Sequence, residues 1–369
     1  MMKLLFIVQG EGRGHLTQAI AMYEILTRNG HKVVATIVGL SKNKHAPDFY
    51  IDSIKAPIYT IQSPYLNFGN GKSLNLLKTI AGQLGKAKKY LSNAKAVNDA
   101  VSFHKPDAIL NFYEMTAGFY SYYYKQKVPI ICIGHQYLIS HKDFETIKGK
   151  AVDRMLLNVN TRLTSIGSSR KLALSFSTMN ADIENKITVI PPLLRSSIKL
   201  AKVESKNFLL AYVTNHNLLE DLLEWQGKNS ETKIHCFLDK KDIEDDTEIQ
   251  KNFIIHKIDA NHFIEKMAKC KGLITTAGFE SVCEAMYLGK PVMMVPIKKH
   301  IEQRINAHDG QRAGAGIYNS KFNISKFIDY IPQHKDVSSK FKKWLSKGDD
   351  IIINTIETVI KEFHENTIN

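Results

Sequence analysis

The sequence predicts an α/β protein built as two parallel-sheet units in tandem. Three observations lead there. Apolar runs of strand length alternate with helical patterns through the first half of the chain. A Pro-Pro pair in "VIPPLLRSS" (189–197) breaks that alternation, and beyond it the alternation restarts. Strands interleaved with helices assemble into mainly parallel sheets, because each helix carries the chain back to the starting edge. A chain of 369 residues accommodates two domains at roughly 100–200 residues each. The expected division is a first domain at 1–190, a linker at 191–200, a second domain at 201–345 and a C-terminal helix at 346–369, packing back on the first domain.

In order, strands are expected at 3–8, 32–39, 108–112 and 128–133, with helices at about 16–28, 73–92 and 115–126. Each strand is a short run rich in Val, Ile, Leu or Phe, and each helix shows apolar residues at three- and four-residue spacing. The Pro-Pro pair cannot continue either element. After it, strands are expected at 207–213, 233–238, 253–258, 272–276 and 291–297, with helices at 217–226, 261–269, 279–288 and 303–314. The acidic "DKKDIEDDTE" (239–248) reads as a solvated loop or helix face.

Composition narrows the function classes. Apolar residues make up 44% and charged residues 23%, as in a globular protein with a sizeable core. No apolar run approaches the roughly 20 residues of a membrane span. "MMKLLFIV" stops at Gln9 without a small-residue cleavage site, so a signal peptide is not expected. Cys132, Cys236, Cys270 and Cys283 lack any zinc-type spacing and read as buried thiols in a reducing cytoplasm. The net charge of +14 is uneven: residues 1–195 hold 25 Lys and Arg against 12 Asp and Glu, and the remainder 25 against 24. A basic first half facing a neutral second half suits an anionic surface. In "SLNLLKTIAGQLGKAKKYLS" (73–92), Leu74, Leu77, Ala81 and Leu84 form an apolar stripe beside Lys78, Lys86, Lys88 and Lys89. Such a helix can lie on an anionic membrane or simply pack on the domain surface. No zinc, RNP-like or helix-turn-helix pattern supports nucleic-acid binding.

The first glycine loop, "GEGRGH" (10–15), follows the first strand. It is not a dinucleotide fingerprint, which needs G-x-G-x-x-G and a carboxylate at the end of the second strand. Here the spacing is G-x-G-x-G, and the second strand ends in Gly39, Leu40 and Ser41. No Gly-Lys-Ser/Thr makes it a P-loop. What remains is a turn at the carboxyl edge of a parallel sheet, where open α/β folds place their sites. Gly12, Arg13 and Gly14 let the chain approach a ligand, and His15 stands in the first turn of the helix. A positive helix end disfavours the imidazolium, leaving a neutral base at neutral pH. By position alone His15 is either that base or a packing and capping group.

The sharper motif is "GLITTAGFESVCEAMYLGKPVMMVPI" (272–297). A strand delivers Thr276, Ala277 and Gly278 into a helix whose N-terminus suits a pyrophosphate. Ser281 stands in the first turn. Glu284, six residues after Gly278, can face the same edge and accept two ribose hydroxyls. In "KKHIEQRINAH" (298–308), Glu302, Gln303 and Asn306 offer carboxylate and amide groups suited to sugar hydroxyls.

These residues carry a resemblance. The chain is similar to the inverting GT-B glycosyltransferases of family 28, which include the lipid-linked N-acetylglucosaminyltransferase of peptidoglycan synthesis and diacylglycerol glycosyltransferases. "GEGRGH" resembles that family's first loop, "TTAGFESVCEAMYLGKP" its donor motif with Gly278, Glu284 and Pro291 in register, and "EQRINA" its donor-sugar segment. "KPDAILNFYE" (105–114) and "VPIICIGHQY" (128–137) resemble a bacterial and archaeal subgroup.

The resemblance implies two Rossmann-like domains facing each other across a cleft. A nucleotide-sugar, most simply a UDP-sugar, would be a co-substrate on the second domain. A lipid or lipid-linked acceptor would sit on the first, placing the enzyme in the cytoplasm on the inner face of the membrane. His15 would deprotonate the acceptor hydroxyl, Glu114 would orient His15, and His135 and Gln136 would line the acceptor side. No metal or other cofactor is implied, since helix end and backbone amides would stabilise the departing diphosphate. Two departures stand out. "FLLAYVT" runs into "NHNLLED" where relatives have a glycine-rich turn, leaving Asn215 as the substitute phosphate donor. Asn111 replaces the subgroup's aspartate. A hydrolysing UDP-N-acetylglucosamine 2-epimerase shares the fold but does not need the His15 loop, and a non-catalytic nucleotide-sugar-binding protein is the alternative outside enzymes.

Overall fold

The computed structural model describes residues 1–41, 44–63, 87–147, 151–213, 216–238, 246–298 and 300–368. It divides into two compact units, Met1–Leu193 with Lys347–Asn369, and Leu194–Ser346. Asn215, the segment 73–86 of the basic amphipathic stretch and 239–245 of the acidic run lie outside the described residues.

The first unit holds a seven-stranded sheet. Its strands are β1 (Lys3–Gln9), β2 (Lys32–Leu40), β3 (Ile58–Gln62), β4 (Ala108–Phe112), β5 (Ile130–Ile133), β6 (Arg170–Leu174) and β7 (Ile187–Ile190). The spatial order is β3-β2-β1-β4-β5-β6-β7, with every named pair parallel. Leu4–Val8 are fully buried, which explains their unbroken apolar run: helices cover both faces of a parallel sheet. The main helices are α1 (Gly14–Arg28), α2 (Asp48–Ser53), α3 (Ala87–His104), α4 (Met115–Tyr123) and α5 (Ala151–Thr164). α1 buries Leu16, Ala19, Ile20 and Met22. It ends at Asn29 and Gly30, where a φ of 77° lets the Gly30 and His31 amides reach back to Thr27 and Leu26.

The second unit repeats the pattern. Its sheet contains β8 (Leu209–Val213), β9 (Ile234–Leu238), β10 (Thr247–Gln250), β11 (Phe253–Lys257), β12 (Gly272–Thr275), β13 (Val292–Met294) and β14 (Gly316–Tyr318). The order is β10-β11-β9-β8-β12-β13-β14, parallel except for the β10–β11 hairpin. Its helices are α6 (Ser196–Lys199), α7 (His216–Gly227), α8 (Ala260–Lys269), α9 (Phe279–Tyr287), α10 (Ile301–Arg312), α11 (Ile324–Tyr330) and α12 (Ser338–Leu345). One apolar cluster joins Leu209, Ala211, Cys236, Phe253, Ile255, Ile274 and Phe327.

The last helix, α13 (Gly348–Ile368), belongs to the first unit and packs beside β7. Arg28, at the end of α1, clamps Asp349 through two nitrogens, with Nε donating to Oδ2 at 2.8 Å and Nη2 to Oδ1 at 2.7 Å. Among the described residues no helix is long and apolar enough to cross a membrane.

In each sheet the strand order reverses direction at one place: between β1 and β4, and between β8 and β12. Loops leaving the carboxyl ends of such strand pairs diverge and open a crevice, the standard ligand position of open α/β sheets. Gly10–Gly14, Tyr113–Glu114 and Thr276–Gly278 are those loops.

Candidate active site

At the switch point of the first unit, β1 ends at Gln9 and the chain turns through the glycine loop into α1. Gly10 is needed for close approach: a Cβ there would lie 2.8 Å from the Gly39 carbonyl oxygen and 2.6 Å from the Leu40 side chain. Gly12 takes a φ of 82°, which L residues avoid. The loop's charges are tied to the segment after β2. Glu11 accepts from the Ser41 amide and from Lys44 Nζ, at 2.8 Å for the lysine. Partial burial works against its ionisation, yet these hydrogen bonds draw its carboxyl below the usual range. The Arg13 guanidinium lies over the Phe49 ring, 4.8 Å from its centroid.

His15 is the second residue of α1. Its Nδ1 is 3.2 Å from Gln18 Oε1, one turn along the same face, and its Nε2 is 3.5 Å from Gln136 Nε2. Its ring stacks on Tyr113 at 5.4 Å and 20°. Tyr113 is held at φ 60°, a rare state for a bulky residue and one concentrated at functional loops. Asn111 supports that turn, its Oδ1 accepting from the Glu114 amide at 3.0 Å and its Nδ2 donating to Thr164 O at 2.8 Å. The amide at this position is thus a structural brace at the strand end.

Glu114 is buried and caps α4. Its Oε1 accepts from the Thr116 amide at 3.1 Å and hydroxyl at 2.9 Å, and its Oε2 from Ser63 Oγ at 2.7 Å. Burial raises its pKa to about 6, against the lowering effect of those bonds. Its hydrogen bonds therefore go to Ser63 and Thr116, and the side chain beside His15 Nδ1 is Gln18. Gly39 makes the space: a Cβ there would lie 2.3 Å from Glu114 Oε2. His135 is buried, its Nδ1 donating to Leu174 O at 2.7 Å and its ring edge-on to Phe176 at 5.6 Å. That environment is a packed strand end, while Gln136 is the member of the pair that reaches His15.

In the second unit, β12 delivers Thr275–Gly278 into α9. Ala277 sits at φ 64°, and Asn306 Nδ2 from α10 holds its carbonyl at 3.2 Å. The N-cap of α9, Gly278, brings no side chain to close the helix, and Ser281 Oγ donates back to the Gly278 carbonyl at 3.1 Å. Thr276, Ala277, Ser281, Glu284 and Asn306 are all buried.

Glu284 differs from a solvated helix glutamate: its Oε1 accepts from Arg195 Nη2 at 2.8 Å, with the two side chains only 5% and 13% exposed. Arg195 precedes α6. Its Nε, like Asn306 Oδ1, is buried with no hydrogen-bond partner among the described residues. Buried polar atoms are rarely left unmatched without a ligand or water to meet them. Glu302 and Gln303 stand in the first turn of α10, where Gln303 Oε1 accepts from the Ile297 amide at 2.9 Å. The Lys of "GKP" is structural: Lys290 Nζ donates to the Cys270 carbonyl at 2.9 Å and to that of Glu204.

Sequence reasoning missed Gln18, Tyr113 and Arg195. Gln18 was within reach, since three residues from His15 puts it on the same helix face. Nothing local signals Arg195, which meets Glu284 across 89 positions.

The sequence profile of the family described as "Glycosyl transferase family 1" matches residues 2–332. A relative from Methanosarcina mazei, described as "Uncharacterized glycosyltransferase", is 24% identical over 338 residues, 85% of this chain and 85% of its own. The solved structure of LpCGTa in complex with UDP superposes with a TM-score of 0.62 at 11% identity, over 97% of this chain and 99% of that one. MurG of Acinetobacter baumannii superposes at 0.58 with 16% identity, over 97% and 100%. At such identities the superpositions establish the fold, which is that of GT-B glycosyltransferases.

Proposed function

Because the chain belongs to glycosyl transferase family 1, we propose that it is an inverting enzyme that moves a sugar from a UDP-sugar to a hydroxyl of a lipid or lipid-linked acceptor. The observation that carries the reading is the start of α9. There the glycine-capped N-terminus follows a left-handed Ala277 held by Asn306, whose Oδ1 is unmatched among the described residues, and the same helix carries Glu284, bound through one oxygen to Arg195, whose Nε is likewise unmatched. A helix N-terminus favours a diphosphate. Glu284 keeps Oε2 for a ribose hydroxyl while Arg195 holds Oε1.

In the proposed reaction, His15 takes the acceptor's hydroxyl proton. The oxygen attacks the anomeric carbon as the bond from that carbon to the phosphate oxygen breaks on the opposite face. The configuration inverts, and the negative charge appearing on the diphosphate is met by the N-terminus of α9 and the Thr276–Gly278 turn. Gln18 and the Tyr113 ring fix the imidazole plane. Glu114 acts through the turn that it caps. Glu302, Gln303 and Asn306 are assigned to the sugar, and Gln136 with Gly12, Arg13 and Gly14 to the acceptor side. No resident metal or cofactor takes part in this scheme. Among solved structures of this fold, LpCGTa is in complex with UDP, Phytolacca americana UGT2 with UDP-2-fluoro-glucose and the spinosyn rhamnosyltransferase SpnG with thymidine diphosphate; these support a nucleoside-diphosphate donor, for which UDP is the reading taken here.

A lipid surface as the acceptor's home is supported by the basic first half and by exposed aromatics on the first unit, with Tyr122 74%, Tyr123 51% and Phe103 79% accessible. Tyrosines with a wet hydroxyl and an apolar ring suit a membrane interface. The expected setting is the inner face of the cytoplasmic membrane, in cell-envelope synthesis. The test of the donor site is calorimetric titration of UDP and UDP-sugars into the protein and into Glu284→Gln. Micromolar UDP binding weakened at least tenfold by the substitution agrees with the assignment. Equal binding by both proteins removes Glu284 from the site.

A further inference from the structure

The second sheet carries a group of imidazoles that the proposed transfer does not use. On β9, Ile234, Cys236 and Leu238 enter the apolar cluster, so alternation sends His235 and Phe237 to the other face. On β11, Phe253 and Ile255 enter the same cluster. His256 lies on the other face, in register with Phe237. From α8, His262 packs edge-on to His256 at 4.8 Å and 76°, and to Phe237 at 5.3 Å. Asp246, at φ 56° immediately before β10, places Oδ1 2.8 Å from His256 Nδ1. One oxygen or nitrogen from each of Asp246, His256 and His262 lies within 4.8 Å of the other two.

We propose that Asp246, His256 and His262 bind a divalent transition-metal ion of the zinc class, at a site separate from the sugar-transfer residues. Two imidazole nitrogens and one carboxylate oxygen are a donor set that such ions take, and tetrahedral bonds of about 2.0–2.2 Å hold their ligands roughly 3.3–3.5 Å apart. The three donor atoms lie within 4.8 Å of one another, so side-chain rotation about the fixed His256 brings them to that spacing. His256 is fully buried and Asp246 is 66% exposed, giving one fixed ligand and one on the solvent side through which an ion enters.

The second shell is also in place. His256 Nε2 is 2.7 Å from His235 Nδ1, with the rings parallel within 7°, and metal-bound imidazoles bond their other nitrogen in this way. Without metal, His235 Nδ1–H donates to His256 Nε2, leaving the His256 proton on Nδ1, which faces Asp246 Oδ1. With metal on Nδ1, His256 carries its proton on Nε2 and donates to His235 Nδ1. Both rings stay neutral, so the exchange is a double tautomer shift with no net proton lost. The ion would tie the start of the β10–β11 edge hairpin to α8 and stiffen that edge of the sheet. The three ligands stand on a turn, a strand and a helix, ten and six residues apart, which is why no spacing in the sequence announced them.

The test is titration of the chelator-treated full chain with Zn2+, followed by calorimetry and melting temperature, with Co2+ visible absorption as a geometry probe. Asp246→Asn and His262→Gln are compared, with circular dichroism confirming their fold. The expected result is one Zn2+ per chain, a raised Tm, tetrahedral Co2+ bands, and affinity reduced at least about tenfold by either substitution. Folded wild-type protein without saturable Zn2+ binding overturns the proposal, and so does one-to-one binding that both variants leave unchanged.

Discussion

Replacing Arg195 by Met should unfold the second unit more readily than any other single change at the donor edge. The guanidinium and the Glu284 carboxylate meet at 2.8 Å with side chains 13% and 5% exposed. With charge centres roughly 4 Å apart, at an effective dielectric of about 20, their attraction is about 4 kcal/mol. Removing both ions from water offsets most of that, so the intact pair adds little net stability. Arg195→Met alone leaves a buried carboxylate unmatched, which costs about 3–5 kcal/mol. For a unit the size of Leu194–Ser346, that lowers Tm by roughly 6–20 °C. Adding Glu284→Gln removes the stranded charge and should restore most of the loss, giving a coupling energy of about 2 kcal/mol or more in the double-mutant cycle. The assay is urea unfolding followed by tryptophan fluorescence. Trp225 and Trp344 are the chain's two tryptophans and both lie in the second unit, so the signal reports that unit alone. Single variants within about 0.5 kcal/mol of wild type, with additive effects, would refute the assignment of a buried, mutually dependent pair.

Three further outcomes are expected. Burial holds the Glu114 carboxyl at about 6, above the ordinary glutamate value of about 4.5. Its native state therefore binds the proton more tightly, and its contribution is present below pH 4.5 and lost as pH rises through 6, by about 2 kcal/mol. Denaturant unfolding from pH 4 to 7 should show this decline in wild type and lose it in Glu114→Gln. Gly39→Ala would place a methyl 2.3 Å from Glu114 Oε2 and should destabilise by about 1–3 kcal/mol, read in the same experiment. Vesicle co-sedimentation should show binding to anionic lipid that falls as salt rises from 50 to 500 mM, and Tyr122→Ser with Tyr123→Ser should weaken it. Binding indifferent to lipid charge, salt and both tyrosines would end the membrane-surface reading.

The alternation of apolar runs made both sheets legible, because parallel strands covered on two faces must be apolar throughout, as Leu4–Val8 and Leu209–Val213 are. Strands at sheet edges were not, nor was the interior β6, which opens on Arg170 and Lys171. β3 has no buried residue, and β14 has three residues, so neither carries a distinctive run. The loops at the two switch points were readable for a related reason: glycine at 10, 12 and 278 signals backbone that must turn or lie close to something. The partners of the side chains in those loops were not. Glu284 read as a free ribose acceptor because Arg195 reaches it only through the fold. Glu114 read as a partner for His15 because sequence cannot show that Ser63 and the space above Gly39 claim its oxygens. Ala277 and Tyr113 take left-handed backbone at positions where their own side chains give no hint of it, since Asn306 and Asn111 supply the support from elsewhere.

In the proposed mechanism one imidazole activates the acceptor while the other unit holds the donor, and a single pair of measurements separates these roles. UDP affinity by calorimetry and UDP release, with a membrane lipid extract as acceptor, are compared in wild type and His15→Ala. In His15→Ala, UDP affinity should stay within about twofold of wild type while the release rate falls about 10²–10⁴-fold, the usual contribution of a general base. Release by His15→Ala at the wild-type rate would contradict the mechanism.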